Sequence, residues 1–184
     1  MVAEITMNEI YSQSDEDDAD FLARVDLLNK LGFSVLISDY LRFFRLRSWI
    51  RRYTQKRIAI TLSVLDFNYL FAEQYYEGLE GGILEAFGKL FSDNTNVYVY
   101  PTVRDGKLIS LDNVEVDQDL GFLMQHLIHN RAMVAADIMN VHNLDISSRE
   151  VLKEIRNGRG DWESIVPKVV ADSIIENKLL GFKD

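Results

Sequence analysis

Residues 33–64 read FSVLISDYLRFFRLRSWIRRYTQKRIAITLSV, and this stretch decides the fold. Two short runs rich in apolar and β-branched residues, Phe33–Ile37 and Ile58–Val64, have the length and composition of buried strands. Between them Leu41–Thr54 reads as a helix, because Phe43, Leu46, Trp49, Ile50 and Tyr53 fall on one arc of a helical wheel. Working outward toward the C-terminus, Phe67–Tyr76 is helical, Gly81-Gly82 opens a helix over Ile83–Phe91, and Val97–Tyr100 (VYVY) is a third strand ended by Pro101. Working outward toward the N-terminus, Phe21, Leu22, Val25, Leu28 and Leu31 recur at helical spacing until Gly32 stops them at a C-cap position. The acidic run Ser12–Asp20 leads into that helix, where the macrodipole favours negative charge. Strands of continuous apolar character alternating with helices predict an α/β fold: a short, mostly parallel sheet of about three strands, flanked by helices on both faces.

From Thr102 the pattern changes. Arg104-Asp105-Gly106-Lys107 signals a tight hairpin turn, and Leu120–Arg131 reads as a helix. Ser147 with Glu150 three residues later forms a capping box, Arg156-Asn157-Gly158 closes the helix that it opens, and Pro167 begins a last amphipathic helix carrying Val170, Ile174 and Ile175. The expected organisation is a single domain over 1–184, with an α/β core over about 17–101 and a mainly helical C-terminal extension over about 118–182.

Composition sets bounds on function. The chain has 184 residues, 20 basic against 29 acidic, for a net charge of −9. A domain of this size buries roughly 70% of its unfolded surface and needs no covalent staples. With no cysteine there is no disulfide, thiolate metal site or cysteine nucleophile. An isoelectric point near 4.8 makes a nucleic-acid coat unexpected. Met1–Glu16 has acids where a signal peptide needs bases, and no run approaches the length of a spanning helix, so the expected compartment is the cytoplasm.

Five constellations have chemistry to offer. Arg42, Arg45, Arg47, Arg51, Arg52, Lys56 and Arg57 lie in a stretch with no acid between Asp39 and Asp66, while the rest of the chain carries −16. These residues form an anion site or acidic-partner face, or they pair with the surplus acids elsewhere. Ser38 and Asp39 close the first strand of the quoted stretch, where open α/β sheets bind ligands, although an aspartate there also serves as a helix cap. Gly78-Leu79-Glu80-Gly81-Gly82 enters a helix but matches no phosphate-loop spacing, and tight packing explains it better. His126 and His129 share a helix face, with only Asp137, Glu115 or His142 as further ligands, so no metal site is expected. Ser147, Ser148 and Arg149 stand at a helix start that local chemistry explains as a cap.

The run ISSREVLKEIRNGRGDWESIVPKVVADSIIENKLLGF resembles the C-terminal signature of nicotinate/nicotinamide-nucleotide adenylyltransferases, whose Ile-Ser-Ser-Thr-x-Ile-Arg motif holds ATP phosphates at a helix start. By position Ser147 and Ser148 match, Arg149 takes the place of the family threonine, and Leu152 takes that of the family arginine. The family's first-strand His/Thr-x-Gly-His motif has no counterpart here. FLARVDLLNKLGFSVLISDYLRFFRL, QYYEGLEGGILEAFGKLF and VYVYP also resemble the C-terminal part of long bacterial proteins labelled nicotinate-nucleotide adenylyltransferase or TonB-dependent receptor. An outer-membrane barrel is not expected of such a chain. The resemblance implies ATP and Mg²⁺ as cofactors if the chain is nucleotidyltransferase-like, and an N-terminal partner domain or chain. The expected function is a nucleotide- or phosphate-binding α/β domain, not catalytic on its own, using Ser38, Asp39, Arg42, Arg45, Ser147, Ser148 and Arg149. The alternative is a non-catalytic interaction or structural domain.

Overall fold

The computed structural model describes residues 1–7, 15–138 and 143–183. In chain order the elements are β1 (Val2–Thr6), α1 (Asp15–Lys30), β2 (Ser34–Ser38), α2 (Phe43–Arg51), β3 (Ile58–Ser63), α3 (Phe67–Phe71), α4 (Gly82–Leu90), β4 (Thr95–Tyr100), β5 (Thr102–Arg104), β6 (Lys107–Ile109), α5 (Gly121–His129), β7 (Met133–Ala135), α6 (Ser148–Asn157), α7 (Trp162–Ile165) and α8 (Lys168–Asn177). The chain is α/β, with short parallel sheets flanked by helices and a helical C-terminal stretch. Among the described residues no helix is long and apolar enough to cross a membrane. The fold divides into two compact units: a central one, residues 42–145, and a terminal one, residues 1–41 with 146–184.

The central unit is built on β3, β4 and β7, all parallel, with Ile58 opposite Thr95 and Val97 opposite Met133. One face is buried: Leu62, Val97, Val99 and Met133 pack with Phe44, Leu70, Phe87 and Leu127 of the helices. On the other face Ala59, Thr61 and Tyr100 are exposed and Tyr98 is half-buried. Among the described residues helical cover on both faces, expected from the apolar runs, is therefore not found. The runs alternate after all, large apolar residues inward and small or hydroxyl-bearing ones outward, which is the period of a one-sided sheet. The hairpin forms where expected: β5 and β6 pair antiparallel around Asp105 and Gly106, both at positive φ (51° and 71°), as a type I′ turn requires.

The terminal unit corrects the expected sheet membership. β2 does not join the strands of the central unit but pairs in parallel with β1, Val2 opposite Ser34 through to Thr6 opposite Ser38. A small core of Leu27, Ile155, Trp162, Val170, Ala171 and Ile174 holds α1 against the C-terminal helices. Lys30 Nζ donates to Ser173 Oγ at 2.6 Å, and Arg156 pairs with Asp20 at 2.7 Å. Gly32 (φ 85°) ends α1 in a Schellman motif, Phe33 N–H bonding to the Leu28 carbonyl and Gly32 N–H to that of Asn29. The apolar stripe on α1 lies one step round from the expected one. Ala23 and Leu27 are buried, whereas Leu22 is 61% exposed. Residues 12–14 of the acidic run lie outside the described residues.

Candidate functional site

Three arginines of the basic segment, Arg47, Arg51 and Arg57, bond within the central unit itself. Arg47 is buried, because the face of α2 that carries it lies over the loop leading into β4. Its Nε donates to Thr95 Oγ1 at 3.1 Å, and Nη2 donates to the Ser92 carbonyl and meets Asp93 at 3.2 Å. One turn on, Arg51 donates to the carbonyls of Lys56 (2.8 Å), Thr54 (3.2 Å) and Asp93, and to Thr95 Oγ1 (3.3 Å). Asp93 and Asn94 both sit at positive φ, 47° and 60°, so the two guanidinium groups pin a turn that ordinary residues adopt reluctantly. Arg57, exposed, donates to Asn96 Oδ1 at 2.9 Å and to the Tyr98 hydroxyl at 2.7 Å. Among the described residues the partners are chiefly carbonyls and hydroxyls, with Asp93 the one acid among them, rather than the surplus acids of the chain.

Arg42 and Arg45 are placed differently. Arg42 is the N-cap residue of α2, and its own side chain makes no capping hydrogen bond. The Arg42 guanidinium stacks on the Tyr75 ring, 4.0 Å from its centroid, and Nε donates to the Tyr75 carbonyl at 3.3 Å. Tyr69 lies beside Tyr75, ring centroids 6.3 Å apart, and is 62% exposed. Arg45, one turn along, is exposed, with its guanidinium 5.9 Å from the Phe44 ring centroid. The expected apolar arc of α2 shifts too: Phe44 and Leu46 are buried, while Tyr53 is 73% exposed and meets Trp49 at a tilt, ring centroids 5.0 Å apart. Deeper in the same unit the Tyr76 hydroxyl donates to the Leu70 carbonyl at 2.7 Å. Burial pushes the pKa of that phenol up to about 12, against the opposing pull of the Arg42 charge.

The remaining candidates belong to the terminal unit. Ser38 is buried at the end of β2, where its Oγ donates to Glu4 Oε1 at 2.6 Å and accepts the Tyr40 N–H at 3.1 Å. Asp39, next along, is exposed. Ser147 is the N-cap of α6 and accepts the Glu150 N–H at 3.4 Å, so the expected cap is in place. Ser148 and Arg149 are exposed on the first turn, and Leu152 is half-buried. Gly158 (φ 59°) closes the helix. Thus Arg42 and Arg45 share one unit, and Ser38, Asp39, Ser147, Ser148 and Arg149 share the other.

Two further constellations resolve into local structure. At the glycine-rich helix start the Gly81 N–H is taken by Glu85 Oε2 at 3.0 Å, and Glu85 pairs with Lys89 at 2.6 Å. Those two bonds, Lys89's first, lower the Glu85 pKa. A Cβ on Gly81 would come within 2.9 Å of Glu85 Cβ, whereas Gly78 has no neighbour so close, so packing accounts for one glycine of the set. His126 and His129 are exposed on α5, and His142 lies outside the described residues. Among the described residues no group of three His, Asp or Glu side chains is placed to hold a metal ion.

Two participants escape sequence reading. Tyr75 reaches Arg42 from 33 residues away, and nothing local announces the pair. Glu4 has a signal: VAEIT alternates apolar and polar residues as a half-buried strand does. Compared with known protein families, curated proteins and solved structures, the chain matches none.

Proposed function

We propose that the chain is a phosphate- or nucleotide-binding α/β domain, not catalytic on its own, in which Arg42 and Arg45 hold the phosphate. The observation that carries this reading is the fixed setting of Arg42: stacking on Tyr75 and the Nε bond to the Tyr75 carbonyl orient the guanidinium at the start of α2, one turn from exposed Arg45. A guanidinium oriented in advance loses less entropy when it grips phosphate, and each charge-assisted bond contributes roughly 1.5–3 kcal/mol where water is excluded. The exposed face of Tyr69 beside Tyr75 is a surface on which a base can stack, which favours a nucleotide over simple phosphate. At a separate helix start Ser147 and Ser148 match the adenylyltransferase motif, while Arg149 and Leu152 depart from it. The ATP and Mg²⁺ that this resemblance implies find no ready-made set of three ligands for the metal among the described residues, so no step is assigned to it. A second reading, an interaction or structural domain, draws on the internal partners of Arg47, Arg51 and Arg57.

Titration with ATP, nicotinate mononucleotide and pyrophosphate at low and moderate salt tests the proposal. Arg42→Ala/Arg45→Ala should weaken binding at least about tenfold, equivalent to about 1.4 kcal/mol. Arg45→Ala alone, which leaves the Tyr75 stack intact, should weaken it in the same direction. Unchanged affinity in both variants, with native circular dichroism, overturns the assignment.

A further inference from the structure

In the terminal unit, β1, α1 and the start of α8 border a cleft of about 590 Å³, a volume in the range of small-molecule sites. Its apolar walls are Ile5, Leu27, Leu28, Leu31, Val166 and Val170. Two charged side chains also line it, Glu4 from β1 and Arg24 from α1. The Glu4 carboxylate is half-buried and set in place by hydroxyl groups. Oε1 accepts from Ser38 Oγ at 2.6 Å and from Thr6 Oγ1 at 3.0 Å, and Oε2 accepts from the same Thr6 hydroxyl at 3.2 Å. Ser38 is held in turn by the Tyr40 N–H. Among the described residues neither Glu4 nor Arg24 takes part in the ion pairs of Arg47 with Asp93, Lys89 with Glu85 and Arg156 with Asp20.

A carboxylate that is partly withdrawn from water, oriented by two hydroxyls and set against apolar walls attracts a cation that brings apolar surface with it. A hydrated metal ion or a plain ammonium gains nothing from Leu27, Leu31 or Val170, and a neutral apolar molecule leaves both charges unanswered. The complement to one carboxylate, one guanidinium and an apolar wall is a molecule with an ammonium, a carboxylate and an apolar body. We propose that this cleft binds a small zwitterion of that kind, the class of free leucine, methionine or phenylalanine. Its ammonium meets Glu4, its carboxylate meets Arg24, and its side chain lies against Leu27, Leu31, Val166 and Val170. Ser38 and Thr6 act here as positioning residues, aiming the Glu4 carboxylate.

The test is a calorimetric and amide-NMR titration of the full chain with L-phenylalanine, phenethylamine (no carboxylate) and 3-phenylpropionate (no ammonium). Phenylalanine should saturate amide shifts in β1, α1 and α8, and each analogue should bind at least about tenfold more weakly, since one charge-assisted contact is missing in each. Glu4→Gln keeps an acceptor for Ser38 and Thr6, and it should weaken phenylalanine and phenethylamine about tenfold while leaving phenylpropionate unchanged. Arg24→Gln, on the exposed side of α1, should do the converse, and it decides the matter if Glu4→Gln fails to give a native spectrum. Absence of saturable binding by phenylalanine, or equal affinity for it in the native chain and in both variants, overturns the proposal.

Discussion

Residues 42–145 commit two arginines of their basic helix, Arg47 and Arg51, to internal bonds, whereas residues 1–41 and 146–184 leave a carboxylate and a guanidinium beside an open cleft. The central unit has three parallel strands, and a core of Phe44, Phe67, Leu70 and Phe87 lies under them. Its basic helix is anchored by Arg47 and Arg51 to the loop before β4. The terminal unit has two strands and a smaller core around Trp162 and Ile174. A positive stretch in a sequence is therefore not one functional object. Within a single helix, the residues over a loop become structural ties, whereas Arg45 near its start is exposed. Conversely, a charge that looks unremarkable in sequence, Glu4, is placed by its strand at the edge of a cleft.

The largest effect should come from the packing of the smaller core. Leu27 is buried in it and Leu22 is mostly exposed, so Leu27→Ala should cost about 2–5 kcal/mol and Leu22→Ala less than about 0.5 kcal/mol. Urea unfolding followed by the fluorescence of Trp162, which lies in the same core, reads both; equal losses would put α1 on the face expected from the periodicity of the sequence.

A smaller loss should mark the arginine anchor. Arg47→Ala removes a buried guanidinium from Thr95, Ser92 and Asp93 and should cost about 2–3 kcal/mol. Asp93 is 72% exposed, so Asp93→Asn should cost less than about 1 kcal/mol. Thermal melts of the two variants compare them directly. If Asp93→Asn is the more damaging, the ion pair rather than the carbonyl contacts holds the loop.

The smallest effect concerns Tyr76. Its folded pKa of about 12 lies above the ordinary value of 10.0, so the unfolded chain loses the proton first. The stability that this group contributes is complete below pH 10 and is lost as the pH rises through 12. Tyr76→Phe should cost about 1 kcal/mol at neutral pH through the lost bond to the Leu70 carbonyl. It should also flatten the alkaline decline in stability. Native and variant chains falling with equal slope between pH 10 and 12 would contradict the assignment. Burial and the Asp66 charge raise the pKa of Tyr100 as well, in both proteins alike, so the difference between them isolates Tyr76.

The elements carrying strong local chemistry were legible in the sequence. The Gly32 stop, the Asp105-Gly106 turn, the Ser147 cap and the Gly158 closure each follow from residues within a few positions of one another. What sequence could not supply is pairing at a distance. β2 was legible as a strand, yet its partner is the five-residue β1, and the third strand of the larger sheet is β7, three residues long. Reading IAITLS as uninterrupted apolar also concealed the alternation that leaves Ala59 and Thr61 exposed. Among the candidate site residues, the placement of Ser147 and the exposure of Arg45 follow local patterns. The attachment of Arg42 to Tyr75 and of Ser38 to Glu4 depends on tertiary packing across about 30 residues.

The proposed phosphate site is tested most directly by mapping pyrophosphate onto the backbone amides of the full chain by NMR at low salt. The account predicts saturable shifts confined to the first turn of α2, Arg42 to Leu46, and to Tyr75, diminished in Arg42→Ala/Arg45→Ala. The absence of saturable shifts there, or a saturable response confined to the amides of Ser147 to Glu150, would contradict it.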